Sequence, residues 1–97
     1  MPVQIYDKTS DDFQTIGECS QEKWDLSTQI DDLKKWLNSN HQNIPKGKYV
    51  ADIGFTTRTS ATGGGGVISI EMICLLNNLG MEIYLSEYGC NSIDVKD

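Results

Sequence analysis

The chain has one histidine, two prolines and three cysteines in 97 residues, and each scarcity removes a class of chemistry. His41, the sole imidazole, sits in a polar stretch with nothing to mark it as a base for a Ser or Cys nucleophile. Its simpler reading is a solvated loop side chain. Cys19, Cys74 and Cys90 are odd in number and widely spaced, so with one histidine they do not make the close ligand pairs of a zinc site. Three free thiols are the expectation for a reducing compartment, with a Cys19–Cys90 bridge as the alternative. Cys74 is expected in the core, because it falls in an apolar helix. Asp7, Asp11 and Asp12 do not have the spacing of an EF-hand loop, and neither metal nor cofactor is expected.

Long hydrophobic runs are also missing. The longest, from Val67 to Leu79, is interrupted by Ser69, Glu71, Asn77 and Asn78, which excludes a membrane-spanning helix. The opening MPVQIYDKTS has neither a basic n-region nor an apolar h-region, so a cytoplasmic location is expected. There is no basic stripe, which disfavours direct contact with nucleic acid.

What the chain does have is an uneven charge. Residues 1–32 carry eight acids and two lysines, while residues 33–97 carry six acids and six bases, so the formal charge of −6 lies in the first third. A clustered negative charge points to a basic partner more than to a small substrate. The length and the apolar fraction of 38% fit one domain with a single core over residues 1–97, with 1–22 as an acidic N-terminal segment and 89–97 as a loose tail.

Alternation predicts a first strand at Val3–Ile5 and a second over residues 23–27, with Trp24 and Leu26 on one side. Residues 7–22 read as an irregular or partly helical excursion anchored by Phe13 and Ile16. Thr28 is the predicted N-cap of a helix with Asp31 three residues on, and Ile30, Leu33, Trp36 and Leu37 recur at helical spacing. Asn38–Asn40 should end it. Tyr49, Ala51, Ile53 and Phe55 recur at period two and predict a third strand. Ser69 is placed as the cap of a second helix, Gly80 as its left-handed stop, and Met81–Tyr88 as a fourth strand. Ile93 and Val95 offer a weak edge pairing beyond it. The order β, β, α, β, α, β predicts an α+β fold: two layers, about four strands in an antiparallel or mixed sheet, and two helices packed on one face. Trp24 and Trp36 are expected in the core.

Two further constellations carry chemistry if they converge. Gly63–Gly66 lies between a strand and a helix, where backbone amides can hold phosphate, but no Lys-Ser or Lys-Thr follows, so it is not a P-loop. Its simpler reading is a flexible connector. Asp25 and Asp52, both placed on outward strand faces, are the candidate carboxylate pair of a small enzyme.

Lys23-Trp24-Asp25-Leu26-Ser27-Thr28, and the helix and strand running from Ile68-Ser69-Ile70-Glu71-Met72 through Leu79-Gly80-Met81 to Glu87-Tyr88, resemble a bacterial domain family of uncharacterised function. Some of its members are immunity proteins beside polymorphic toxins of the contact-dependent inhibition type. The resemblance spans residues 23–88. It does not extend to residues 1–22, where the family has a longer segment, and Gly63–Gly66 stands where the family has a proline-bearing loop. It implies a fold and a binding role, and no catalytic residues. The expected function is therefore an immunity protein that blocks a cognate toxin, a basic nuclease domain, by steric and electrostatic occlusion. Its expected contacts are Tyr6, Asp7, Asp11, Asp12, Phe13, Glu18, Glu22 and Asp25. The alternatives are the carboxylate-dependent enzyme and a ligand-binding or regulatory module built on the glycine loop.

Overall fold

A computed structural model describes residues 3–9, 12–19 and 23–89. In chain order the elements are β1 (Val3–Asp7), β2 (Gln14–Cys19), α1 (Leu26–Asn40), a 3-10 turn at His41–Asn43, β3 (Tyr49–Thr56), α2 (Ile70–Leu79) and β4 (Met81–Tyr88). The strands form one mixed sheet in the order β2-β1-β3-β4, so the fold is α+β. β1 pairs antiparallel with both β2 and β3, whereas β3 and β4 run parallel, joined through α2. A parallel pair needs such a crossover, because a tight turn cannot return the chain to the same end of the sheet.

The core assembles from three periodicities. Val3 and Ile5 of β1, and Tyr49, Ala51 and Ile53 of β3, are buried residues of one cluster. Ile30, Leu33 and Leu37 of α1, and Met72, Leu76 and Leu79 of α2, belong to the same cluster. Each Val, Leu, Ile or Met among them contributes roughly 1.5–3 kcal/mol on burial, which is why these apolar repeats position everything else. At Gly17 the sheet comes close to α1. A Cβ there would lie 2.6 Å from Cε2 and 2.9 Å from Nε1 of Trp36, so only glycine lets the indole pack over β2.

The second helix is as expected. The Ser69 hydroxyl accepts from Met72 N at 3.2 Å, and Gly80 closes the helix at φ 80° with its N–H on the carbonyls of Leu76 and Asn77.

Five readings are corrected. Residues 14–19 form a strand, where an irregular or partly helical segment was expected. Residues 23–25 are not a strand: α1 begins at Leu26, one turn before the expected start. The alternation at Trp24 reflects one sheet-like bond, Thr56 N to Trp24 O at 2.9 Å, which is not a ladder. The N-cap is Asp25 and not Thr28: its Oδ2 accepts from Thr28 N at 3.0 Å and from Thr28 Oγ1 at 2.8 Å. Cys74 is exposed rather than in the core, because α2 is apolar around most of its circumference and its Met72–Leu76–Leu79 arc faces inward. Trp36 packs against the core, while Trp24 is only half-buried, with its ring edge-on to Tyr88 at 5.7 Å. The expected tail pairing of Ile93 and Val95, and Cys90, lie outside the described residues.

Candidate functional site

Register places two rows of side chains on the sheet face away from the core cluster. One row crosses the sheet as Thr15, Tyr6, Val50 and Glu82; the next as Glu18, Gln4, Asp52 and Tyr84. None of these residues belongs to the core cluster. Ser86 follows on β4 and donates its hydroxyl to Asp52 Oδ1 at 2.6 Å.

Aromatic rings cap this face. The rings of Tyr6 and Phe13 lie 5.9 Å apart, tilted by 50°, across the β1–β2 hairpin. Phe13 is 49% exposed and Tyr84 is 44% exposed, so the face offers large apolar groups to solvent. The Tyr6 hydroxyl donates to Gln4 Oε1, which fixes the ring's direction. Glu18, Asp52 and Glu82 bring negative charge to the same rows. Lys8 brings positive charge: its ammonium pairs with Glu82 and sits 5.9 Å from the centre of the Tyr84 ring. The Glu82 carboxylate holds the Lys8 amine above its ordinary value.

Of the residues expected to bind a partner, Tyr6, Phe13 and Glu18 come together here. Asp12 is exposed in the hairpin beside Phe13. Asp7 is spoken for locally: its Oδ1 accepts from Thr9 N at 2.9 Å, and bonding to Thr9 lowers its pKa. Asp25 caps α1. Asp11 and Glu22 lie outside the described residues. Sequence reasoning missed Glu82, Tyr84 and Lys8 as site residues. The alternation of β4 was visible, but not the register that sets it beside β3.

The carboxylate-pair reading is corrected by the same register. Asp25 is on no strand, and the cross-strand neighbours of Asp52 are Gln4 and Tyr84. Among the described residues no group of three His, Cys, Asp or Glu side chains could hold a metal ion, and no helix is long and apolar enough to cross a membrane.

The glycine loop borders a shallow cleft of about 360 Å³, lined by Asp25, Leu26, Phe55, Arg58, Gly64 and Gly65 among others. Gly63, Gly64 and Gly65 have positive φ, Arg58 Nη2 donates to Gly63 O at 2.6 Å, and Gly66 leans on Ile30 Cδ1. The helix that starts at this cleft is α1, whose Asp25 carboxylate takes the Thr28 amide; α2, the helix that follows the glycines, is capped by Ser69.

Two other groups have structural roles. The Cys19 thiol is pushed up to about 11, first by burial and then by the nearby Asp32 carboxylate, so it stays protonated at neutral pH. The Thr28 hydroxyl and amide hold Asp25 below its ordinary value. Asp25→Ala is expected to lower stability by about 1 kcal/mol at neutral pH. Because the folded pKa is depressed, the cap's contribution is complete above the ordinary carboxylate value of 3.8 and is lost as pH falls through the folded value. Urea melts at pH 7 and below about pH 3 should therefore show the wild type and variant converging in acid.

Comparison with family models, with curated proteins and with solved structures finds no match for this chain.

Proposed function

We propose that this chain is a non-catalytic binding protein whose outer sheet face docks a basic protein domain. Its role is that of a cytoplasmic immunity protein that blocks a cognate toxin, a nuclease domain, by covering the toxin's basic groove. The observation that carries this reading is the pairing of Tyr6 with Phe13 on a face that also holds Tyr84, two strands away, and Glu18, Asp52 and Glu82. Large aromatics that are partly exposed and lie among acids have the composition of an interface: rings provide the desolvated centre, and charges select and steer the partner. The net charge of −6 supports a basic partner, and the resemblance over residues 23–88 supports immunity as the context.

The enzyme alternative loses its carboxylate pair, and the binding reading needs neither that pair nor an anion site at the glycine loop.

The test is capture of partners by the tagged chain from its native host, at low and then high salt. A basic domain should be recovered near stoichiometry, and its nuclease activity should fall in proportion to added chain. Retained nuclease activity at full complex formation would remove the immunity role. No specific partner at either salt would remove the docking role as well. Asp12→Lys combined with Glu18→Lys is expected to slow association by about tenfold at low salt and to flatten its salt dependence, since attraction between exposed charges is screened beyond about 8 Å at physiological ionic strength. An unchanged on-rate would move the interface elsewhere.

A further inference from the structure

Val50 stands apart from its row on the outer face. It has Tyr6 on one side and Glu82 on the other and does not belong to the core cluster, yet it is fully buried. Lys8 helps to explain its cover. Lys8 directly follows β1, and its N–H donates to Lys48 O at 2.9 Å, so it continues the pairing with the β3 side. Its ammonium pairs with Glu82 on β4. Because β3 lies between β1 and β4, the lysine stem crosses β3 beside Val50. Lysine stems lie along apolar surface in this way while the charged end reaches water.

The charged end rests among groups suited to a cation. It lies 5.9 Å from the centre of the Tyr84 ring, and Glu82 is two residues away on the same strand. The neighbour of Tyr84 across to β3 is Asp52, which is half-buried. Asp52 Oδ1 takes the Ser86 hydroxyl at 2.6 Å, which leaves Oδ2 for a second donor. An aromatic ring attracts a cation through its quadrupole, and a carboxylate attracts it through charge and a strong hydrogen bond. Lys8 uses only part of this: its ion pair is with Glu82, while Asp52 is bonded to Ser86. An ammonium is a compact point charge. A guanidinium is flat, stacks on aromatic rings and presents five donors, enough for two carboxylates at once.

We propose that Tyr84, Glu82 and Asp52 form a cation site that Lys8 fills in the free chain, and that an arginine side chain of the basic partner takes this site on docking. The site rests on the reading of the outer face as a docking surface, and it names the group that the face selects. Withdrawal of Lys8 costs little. Its side chain is 24% exposed and that of Glu82 is 64% exposed, and ion pairs so open to water add little to stability. Exchange favours arginine over lysine, because one ammonium replacing another gains no new bond. Lys8 is thus a filter: it keeps the site closed to a lysine and open to a guanidinium.

Titration of the full chain with hexa-arginine and with hexa-lysine at low salt, read by calorimetry, is the test. The two peptides carry the same charge, so their difference reports the site rather than the net field. Hexa-arginine is expected to bind about threefold more tightly or better. Lys8→Gln should tighten hexa-arginine by about threefold again. Lys35→Gln on α1 makes the same change in net charge away from the sheet face and should do much less. Tyr84→Leu keeps an apolar residue at an exposed strand position and should bring hexa-arginine down to the level of hexa-lysine; thermal melts show that each variant folds. Equal binding of the two peptides by the wild type would overturn the proposal. So would an arginine preference that survives Tyr84→Leu, or equal effects of Lys8→Gln and Lys35→Gln. Measurements on the captured partner separate this site from the docking reading. Affinity that falls in Tyr6→Ala but is unmoved by Lys8→Gln and Tyr84→Leu would remove the cation site and keep the docking face. The expected peptide results with no captured partner would keep the site and remove the immunity role.

Discussion

Gly80→Ala is expected to destabilise the fold by about 3 kcal/mol, combining the strain of a left-handed residue with a clash against backbone. Gly80 sits at φ 80° and ψ 38°, where an L-residue is strained by roughly 1–2 kcal/mol. Its added Cβ would also run into the carbonyl oxygen of Gly47 and lie 3.3 Å from that carbonyl carbon. Neither side can yield cheaply. Gly47 N donates to Leu79 O at 2.9 Å, and Gly80 O accepts from Tyr49 N at 3.0 Å, so the two peptides flanking Gly80 end α2 while holding the start of both parallel strands. Thermal unfolding should show a fall of about 10–20 °C in Tm for a domain of this size. Gly89→Ala is the control: no atom lies within 4 Å of the Cβ it would add, and Tm should hardly move. A Gly80→Ala variant that melts with the wild type would mean the α2–β4 junction tolerates another backbone path.

Tyr6→Ala is expected to weaken binding of the basic partner by about 30-fold, or about 2 kcal/mol, mostly through faster dissociation. The ring is half-buried in the sheet face and supported by Phe13, so truncating it removes apolar contact and also the neighbour that orients Phe13. Phe13→Ala should act in the same direction. The double variant should lose less than the sum, because touching rings share their contribution. Tyr6→Phe keeps the ring and loses only the bond to Gln4, so it should bind nearly as the wild type does. Stopped-flow or surface-immobilised kinetics on folded variants would measure this. An unaltered off-rate in Tyr6→Ala would take the aromatic pair out of the interface and leave charge alone as the basis of binding.

The legible and illegible parts of the molecule divide along a physical line. β3, α2 and β4 were readable because burial imposes a period: Tyr49, Ala51 and Ile53 alternate, and Met72, Leu76 and Leu79 recur along one arc. The Ser69 cap and the Gly80 stop were readable because each residue type fits its backbone position. β2 was not, because five of its six residues are not buried and its pattern is held by pairing with β1 rather than by a core. The start of α1 was misplaced because Asp25, Ser27 and Thr28 all suit an N-cap, and the choice depends on Thr56 holding the Trp24 carbonyl. The candidate face shows the same division. Tyr6, Phe13 and Glu18 could be picked out by type and charge, but they meet only through a hairpin that no local pattern announced. Asp25 and Asp52 looked like a pair because both were assigned outward strand positions, and one of them is not on a strand.

The strand order also bears on how the molecule is made. β1 leaves the ribosome before the other three strands of this sheet, yet it is an interior strand whose partner on one side, β3, begins only at Tyr49. The hairpin with β2 can close early, but the other side of β1 waits while roughly 45 residues are synthesised, an interval of about 2–9 s at ordinary rates of translation. During that time the nascent hairpin exposes Val3 and Ile5, which are fully buried in the finished molecule. The acidic residues concentrated in the same stretch keep that early intermediate charged, and so less prone to associate with its copies on neighbouring ribosomes. The charge at this end of the chain thus has a use before any partner arrives.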